Sequence, residues 1–178
     1  MNSQEPSDRL TRFFAGIAEH TFHSQLGVVD PPLVDYISDL LTRFVRPESA
    51  HRLRSVTGQP LADIGEMVNE ATQRLGDAKY EIHRYIGDFA LFWAGVYPEA
   101  LRRRSRHGEH DQFSDYCVHG KRAYQIASQI DTSQEDNPSP DLFERLADRF
   151  ELCAYGLREV RREWERHDED GGSGLLLN

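Results

Sequence analysis

Apolar residues recur along the chain at intervals of three and four, and no stretch alternates apolar and polar positions for the length of a strand. The pattern predicts an all-α fold. A first helix follows Ser7, carries Leu10, Phe13, Phe14, Ile17 and Phe22 on one side, and ends by Gly27. The second is capped by Asp30, has Pro31 at its first position, and turns Leu33, Val34, Ile37, Leu40, Leu41 and Phe44 inward before Pro47 stops it. Residues 47–60 read as a connector with room for one helical turn. A third helix from about Pro60 to Gly76 then directs Leu61, Ile64, Val68, Ala71 and Leu75 to the core and Asp63, Glu66 and Glu70 away from it.

The fourth helix, about Asp77 to Gly95, opens with a polar stripe of Asp77, Glu81, Arg84 and Asp88 and becomes apolar on every side from Phe89 to Tyr97. A helix apolar all round is buried all round, so this one is expected at the centre. Pro98 begins a short helix ending in Arg102, Arg103 and Arg104; a fifth long segment, about Asp111 to Ile130, places Phe113, Tyr116, Cys117, Gly120, Tyr124, Ala127 and Ile130 inward. After a polar connector at 131–139, Ser139 caps a sixth helix that meets no break signal before Gly171, about 40 Å at 1.5 Å per residue. Its Phe143, Leu146, Phe150, Cys153, Leu157, Val160 and Trp164 make a heptad seam. The seam serves either a long helix lying across its own bundle or a second copy; beyond Arg158 only Val160 and Trp164 are apolar, so that end is expected to outrun its own core and be covered by a second copy. The expected architecture is a single-domain bundle of about six helices over residues 1–170, followed by a flexible tail at 171–178.

Composition narrows the class. Leu, Ile, Val and Phe make up about a quarter of the 178 residues, above the roughly 20% below which a charged chain stays disordered, so there is material for one core. A net charge of −9, from 21 basic and 30 acidic residues, argues against general nucleic-acid binding and against an anionic membrane surface. The longest apolar run, nine residues, is less than half a membrane span. With two cysteines and no cationic, apolar leader at Met1–Pro6, a cytoplasmic protein without disulfides is expected.

Motifs that carry chemistry are sparse. Glu48 and His51 have the Glu-x-x-His spacing of di-iron bundles, but there is no second copy, and Glu19 with His23 is the kind of pair an exposed helix face carries; no metal site is expected. Cys117 and Cys153 fall on apolar stripes and read as small buried hydrophobes. On the fourth helix His83, Gly87, Ala90 and Ala94 form a stripe of small residues, which either receives a neighbouring helix or leaves a slot with His83 at its mouth. Asp88 stands beside this stripe and, if buried, needs a partner such as Arg84 or a tyrosine hydroxyl.

Tyr85-Ile86-Gly87-Asp88 is similar to the start of the haem-covering helix of haem oxygenases, and His20 resembles that family's early haem-ligating histidine. The likeness would imply a haem pocket, yet Phe89-Ala90-Leu91-Phe92 stands where the family has a glycine-rich stretch, and no cofactor is expected. A second series, Gly87-Asp88, Ala90-Leu91-Phe92, Gly95 and Pro98-Glu99, followed by Tyr116 and Gly120 to Tyr124, resembles uncharacterised bacterial helical proteins and implies a helical fold without an activity.

Arg102, Arg103, Arg104, Arg106, Lys121 and Arg122 make the segment from 101 to 122 locally basic, which either complements the dipole at a helix C-terminus or marks an anionic contact, a phosphate site or an acidic protein partner. No catalytic triad, phosphate loop or carboxylate pair can be placed. The leading expectation is a non-enzymatic protein-interaction module that forms a homo-oligomer, with Arg102, Arg103, Arg104, Val160 and Trp164 at its contacts. The alternative is a small-molecule, haem or metal binder with a pocket between the first and fourth helices lined by His20, His83, Gly87 and Asp88.

Overall fold

A computed structural model of the chain describes residues 5–46, 53–55, 57–59, 61–105 and 111–169, without the side chains of 5–7, 104, 105 and 169. These residues form eight α-helices: α1 (Glu5–Glu19), α2 (Pro31–Val45), α3 (Ile64–Ala71), α4 (Gly76–Val96), α5 (Pro98–Ser105), α6 (Gln112–Ser128), α7 (Pro140–Asp148) and α8 (Phe150–Glu169). A π-helical turn, His20–Gln25, continues α1 and ends at Gly27, whose φ of +66° a side chain would resist. The fold is all-α and built on one core, as the periodicity predicts. The Glu48 and His51 pair, most of the 47–60 connector and the tail at 171–178 lie outside the described residues.

Caps set the helix starts that the sequence marks. Asp30 accepts from Leu33 N at 3.3 Å, Asp111 from Phe113 N at 3.2 Å and Ser139 from Leu142 N at 3.3 Å. Asp30 does more than cap: Arg145 donates Nε to it at 2.8 Å, which fastens the start of α2 to α7.

α4 occupies the centre and packs against α2, α3, α5, α6 and α8, while α1 lies on α2 and α8. The small residues of α4 permit the closest of these approaches. A Cβ on Gly87 would stand 2.5 Å from the Tyr124 ring, one on Gly120 would stand 2.5 Å from Phe150 and 2.8 Å from Ala90, and one on Gly95 would meet Leu157 at 2.6 Å. α4 is nevertheless not enclosed on every side. Tyr85, Phe89, Trp93 and Tyr97, one turn apart, form a half-buried aromatic ladder with centroid separations of 6.1, 6.2 and 5.5 Å.

Two expected elements are corrected. The third helix begins at Ile64 behind the Asp63 cap and stops at Ala71, so Leu75 leaves the apolar stripe and is 83% exposed. Glu70 turns inward instead, because Arg74 folds back to pair with it at 2.8 Å. The last helix is divided at Arg149, whose backbone (φ −107°, ψ 23°) re-aims the chain so that α7 packs on α6 and α8 on α4.

The seam nonetheless continues across that break. Phe143, Leu146, Phe150, Cys153, Leu157, Val160 and Trp164 are all buried within the chain itself. The end of α8 does not outrun its core, because α1 runs alongside it: the Trp164 ring meets Phe14 edge-on at 5.2 Å, and His167 meets Phe13 at 6.2 Å. Val160 and Trp164 are therefore core residues of their own chain.

Candidate functional site

A carboxylate in a helix that is otherwise apolar at this depth is costly unless its charge is matched. Asp88, 1% exposed, is matched by side chains from two neighbouring helices. α2 places Tyr36 and Arg43 two turns apart on one face; Tyr36 Oη donates to Asp88 Oδ1 at 2.6 Å and the Arg43 guanidinium to Oδ2 at 2.9 Å. From α6, Tyr124 Oη donates to Oδ1 at 2.8 Å. Arg84 stands one turn before Asp88 and donates Nε to Tyr36 Oη at 3.4 Å, so it supports the cluster through the phenol. Phe143 closes the outer side, with its ring 5.8 Å from Tyr36 and 5.6 Å from Tyr124.

The electrostatics keep the donors of the cluster protonated. Burial, reinforced by the Asp88 charge, raises both phenols well above their usual range, and the hydroxyls remain donors. Burial pulls Arg43 down, but the carboxylate outweighs it and the guanidinium remains charged. With both phenols and the guanidinium directed at one carboxylate, the arrangement cross-links α2, α4 and α6.

The residues expected to line one pocket are distributed over different parts of the fold. Gly87 is against the Tyr124 ring, and Asp88 is inside the cluster just described. His20 is exposed and lines an open groove between α1 and α8 with Arg12, Gly16, Glu163 and His167. His83 is buried on α4, and its Nδ1 meets no hydrogen-bond partner among the described residues. Burial, with Lys79 and Arg122 adding repulsion, lowers its pKa to about 4, so it is neutral. Among the described residues α1 packs on α2 and α8, and the stripe of small residues on α4 is filled from α6.

Sequence reasoning named a tyrosine hydroxyl as a partner for Asp88 and missed Arg43, which lies 45 residues away with only its place on the Tyr36 face as a signal. Both cysteines are buried and free, and burial raises their thiols to about 11 at Cys117 and about 12 at Cys153, as small core residues. Among the described residues no three His, Cys, Asp or Glu side chains gather as a metal site, and no helix is long and apolar enough to cross a membrane.

Comparison with protein-family models, curated proteins and solved structures finds no match to this chain.

The basic cluster has a defined setting. A surface groove of about 230 Å³ runs between the end of α4, the start of α5, α6 and α8, lined by Ala94, Pro98, Arg102, Phe113, Ala154, Tyr155 and Arg158, with Glu151 at one end. Arg102 lies over the Phe113 ring with 5.1 Å between its guanidinium carbon and the centroid. Glu151 is engaged by Lys121 of α6, whereas Arg102 and Arg158 have no carboxylate partner among the described residues. Tyr155 is 49% exposed at the groove edge, and Leu152 is also exposed three residues earlier on α8. Arg103 is exposed on α5, and the Arg104 side chain lies outside the described residues.

Proposed function

We propose that this chain is a protein-interaction module whose contact face is the groove between α5, α6 and α8. The observation that carries this reading is the pairing of exposed apolar surface with cations that have no carboxylate partner among the described residues. Tyr155 offers apolar surface in the groove where Arg102 and Arg158 have no carboxylate partner among the described residues, and Leu152 is exposed one turn before it on α8, on a chain whose net charge is −9. Aromatic and arginine side chains together are what protein contacts favour, because each desolvates a large area and retains a directional polar end. The complementary occupant is an acidic segment with an apolar anchor.

Self-association belongs to the same proposal, since the acidic remainder of the surface makes a second copy a partner of the required charge. Light scattering of the full chain in low salt is expected to show a mass above the monomer that falls as salt is raised. The double variant Arg102→Glu with Arg158→Glu should be monomeric in both conditions. A wild-type chain that is monomeric at tens of micromolar in low salt overturns self-association. If it also fails to bind acidic peptides carrying an aromatic anchor, the interaction reading falls with it.

A further inference from the structure

The basic groove has a counterpart of opposite charge elsewhere on the chain. Between the end of α1 and the first turns of α2 lies a groove of about 290 Å³, with the nearly buried Val28 and Val34 at its base. Val29 also lines it and is 77% exposed. A lone exposed apolar side chain is ordinary on a protein surface, but this one adjoins two carboxylates without partners. Glu19 of α1 and Asp35 of α2 line the same groove, both are exposed, and neither forms an ion pair among the described residues. No Lys or Arg lines it. Asp30 is also present but committed, since it caps α2 and receives Arg145. The N-terminus of α2 contributes nothing, because Pro31 and Pro32 have no N–H.

The two grooves match in kind and oppose in charge. Each has one exposed apolar side chain, Val29 in one and Tyr155 in the other, and two unpaired charges contributed by different helices. They share no lining residue, and no ion pair among the described residues joins one to the other. Within one copy both sets of charges therefore stay unmatched, and a second copy supplies what each lacks. The size is adequate: about 150 Å³ holds a benzene ring, so the α1–α2 groove has room for the Tyr155 phenol. Pairing the basic groove with its own copy would instead bring like charges together.

We propose that the chain self-associates head to tail, the basic groove of one copy receiving the α1–α2 groove of the next. Arg102 and Arg158 then face Glu19 and Asp35, and Tyr155 rests against Val29. The inference depends on the interaction reading above and names its partner surface. Because two different patches meet, an open assembly retains one free groove at either end, and growth passes the dimer until a ring closes.

The test is sedimentation velocity of the full chain at tens of micromolar in low salt. Glu19→Lys with Asp35→Lys should be monomeric, as Arg102→Glu with Arg158→Glu should be. Each of these proteins retains the face that the other has lost, so an equimolar mixture should regain a mass above the monomer. Val29→Ser should weaken association about tenfold without lowering the melting temperature, since that side chain is exposed. Glu144→Lys with Asp148→Lys, at exposed positions of α7, changes the net charge equally and should keep the wild-type mass. Its dissociation, or a mixture that stays monomeric, would overturn the head-to-tail contact. So would a Glu19→Lys, Asp35→Lys protein of wild-type mass beside a monomeric arginine variant, an outcome that leaves the basic groove in contact with some other surface. A monomeric wild type overturns it as well, and acidic peptides with an aromatic anchor then decide separately whether the interaction reading survives.

Discussion

Asp88 shows how one ionised group organises its surroundings. Its oxygens are taken by Tyr36, Tyr124 and Arg43, so the cost of removing either side of the cluster is unequal. Tyr124→Phe deletes one hydrogen bond to a charged acceptor and should cost about 2 kcal/mol. Asp88→Ala takes the shared carboxylate from a guanidinium and two buried phenols at once and should cost about 3–5 kcal/mol, both read from urea midpoints. His83 provides a pH signature. The unfolded imidazole titrates near 6.5 and the folded one near 4, so between those values the unfolded chain takes up a proton that the folded chain refuses. Stability is then complete above pH 6.5 and falls by about 1.4 kcal/mol per unit as the pH drops toward 4. His83→Leu should flatten the melting-temperature profile between pH 6.5 and 5, and an unchanged slope would remove His83 as its cause.

Glycines in helices separate into those with a purpose and those without, and the difference predicts opposite signs for one substitution. A Cβ on Gly156 would stand 2.2 Å from Cζ of Phe22, a fully buried ring that the π-helical turn carries into α8. Gly156→Ala should therefore destabilise by about 1–3 kcal/mol through overpacking. Gly16, on the exposed side of α1, has nothing within 4 Å of that position, and Gly16→Ala should stabilise by about 0.5–1 kcal/mol by removing backbone freedom from the unfolded chain. Thermal melts of both variants decide the pair. The same elements mark how far the sequence can be read. Starts announced by Asp30-Pro31, Asp111 and Ser139-Pro140 are legible because the cap is a local interaction. The π-helical turn at His20 and the break at Arg149 are not legible, since neither has a local breaker. The close fit of Phe22 to Gly156 and the different directions of α7 and α8 belong to the tertiary packing. Glu70 was misplaced for a related reason: a helix face shows where a side chain starts, and Arg74 decides where it finishes.

At the scale of the whole molecule, the two surfaces that the sequence marked as contacts have separate duties. Val160 and Trp164 close the bundle: α8 runs back along α1, and Trp164 against Phe14 is the junction between the two ends of the described chain. Arg161 reinforces this closure by donating to the carbonyl of Val96 at 2.5 Å, which satisfies the C-terminus of α4, and by lying 4.9 Å from the Tyr97 ring centroid. Trp164→Ala should consequently lose about 3–5 kcal/mol of stability, since a buried indole is exchanged for a cavity. Ending the chain at Arg158 strips α1 of the helix it rests on and should be worse. Neither change touches Arg102, Tyr155 or Arg158, so whatever Trp164→Ala protein is folded should retain the wild-type mass in low salt. Charge reversal at Arg102 and Arg158 should do the opposite, lowering the mass with little change in the urea midpoint, because neither guanidinium has a carboxylate to lose among the described residues. Measuring mass and midpoint on both proteins distinguishes the arrangements: a folded Trp164→Ala protein of monomeric mass beside an oligomeric wild type would place the contact at the end of α8 after all.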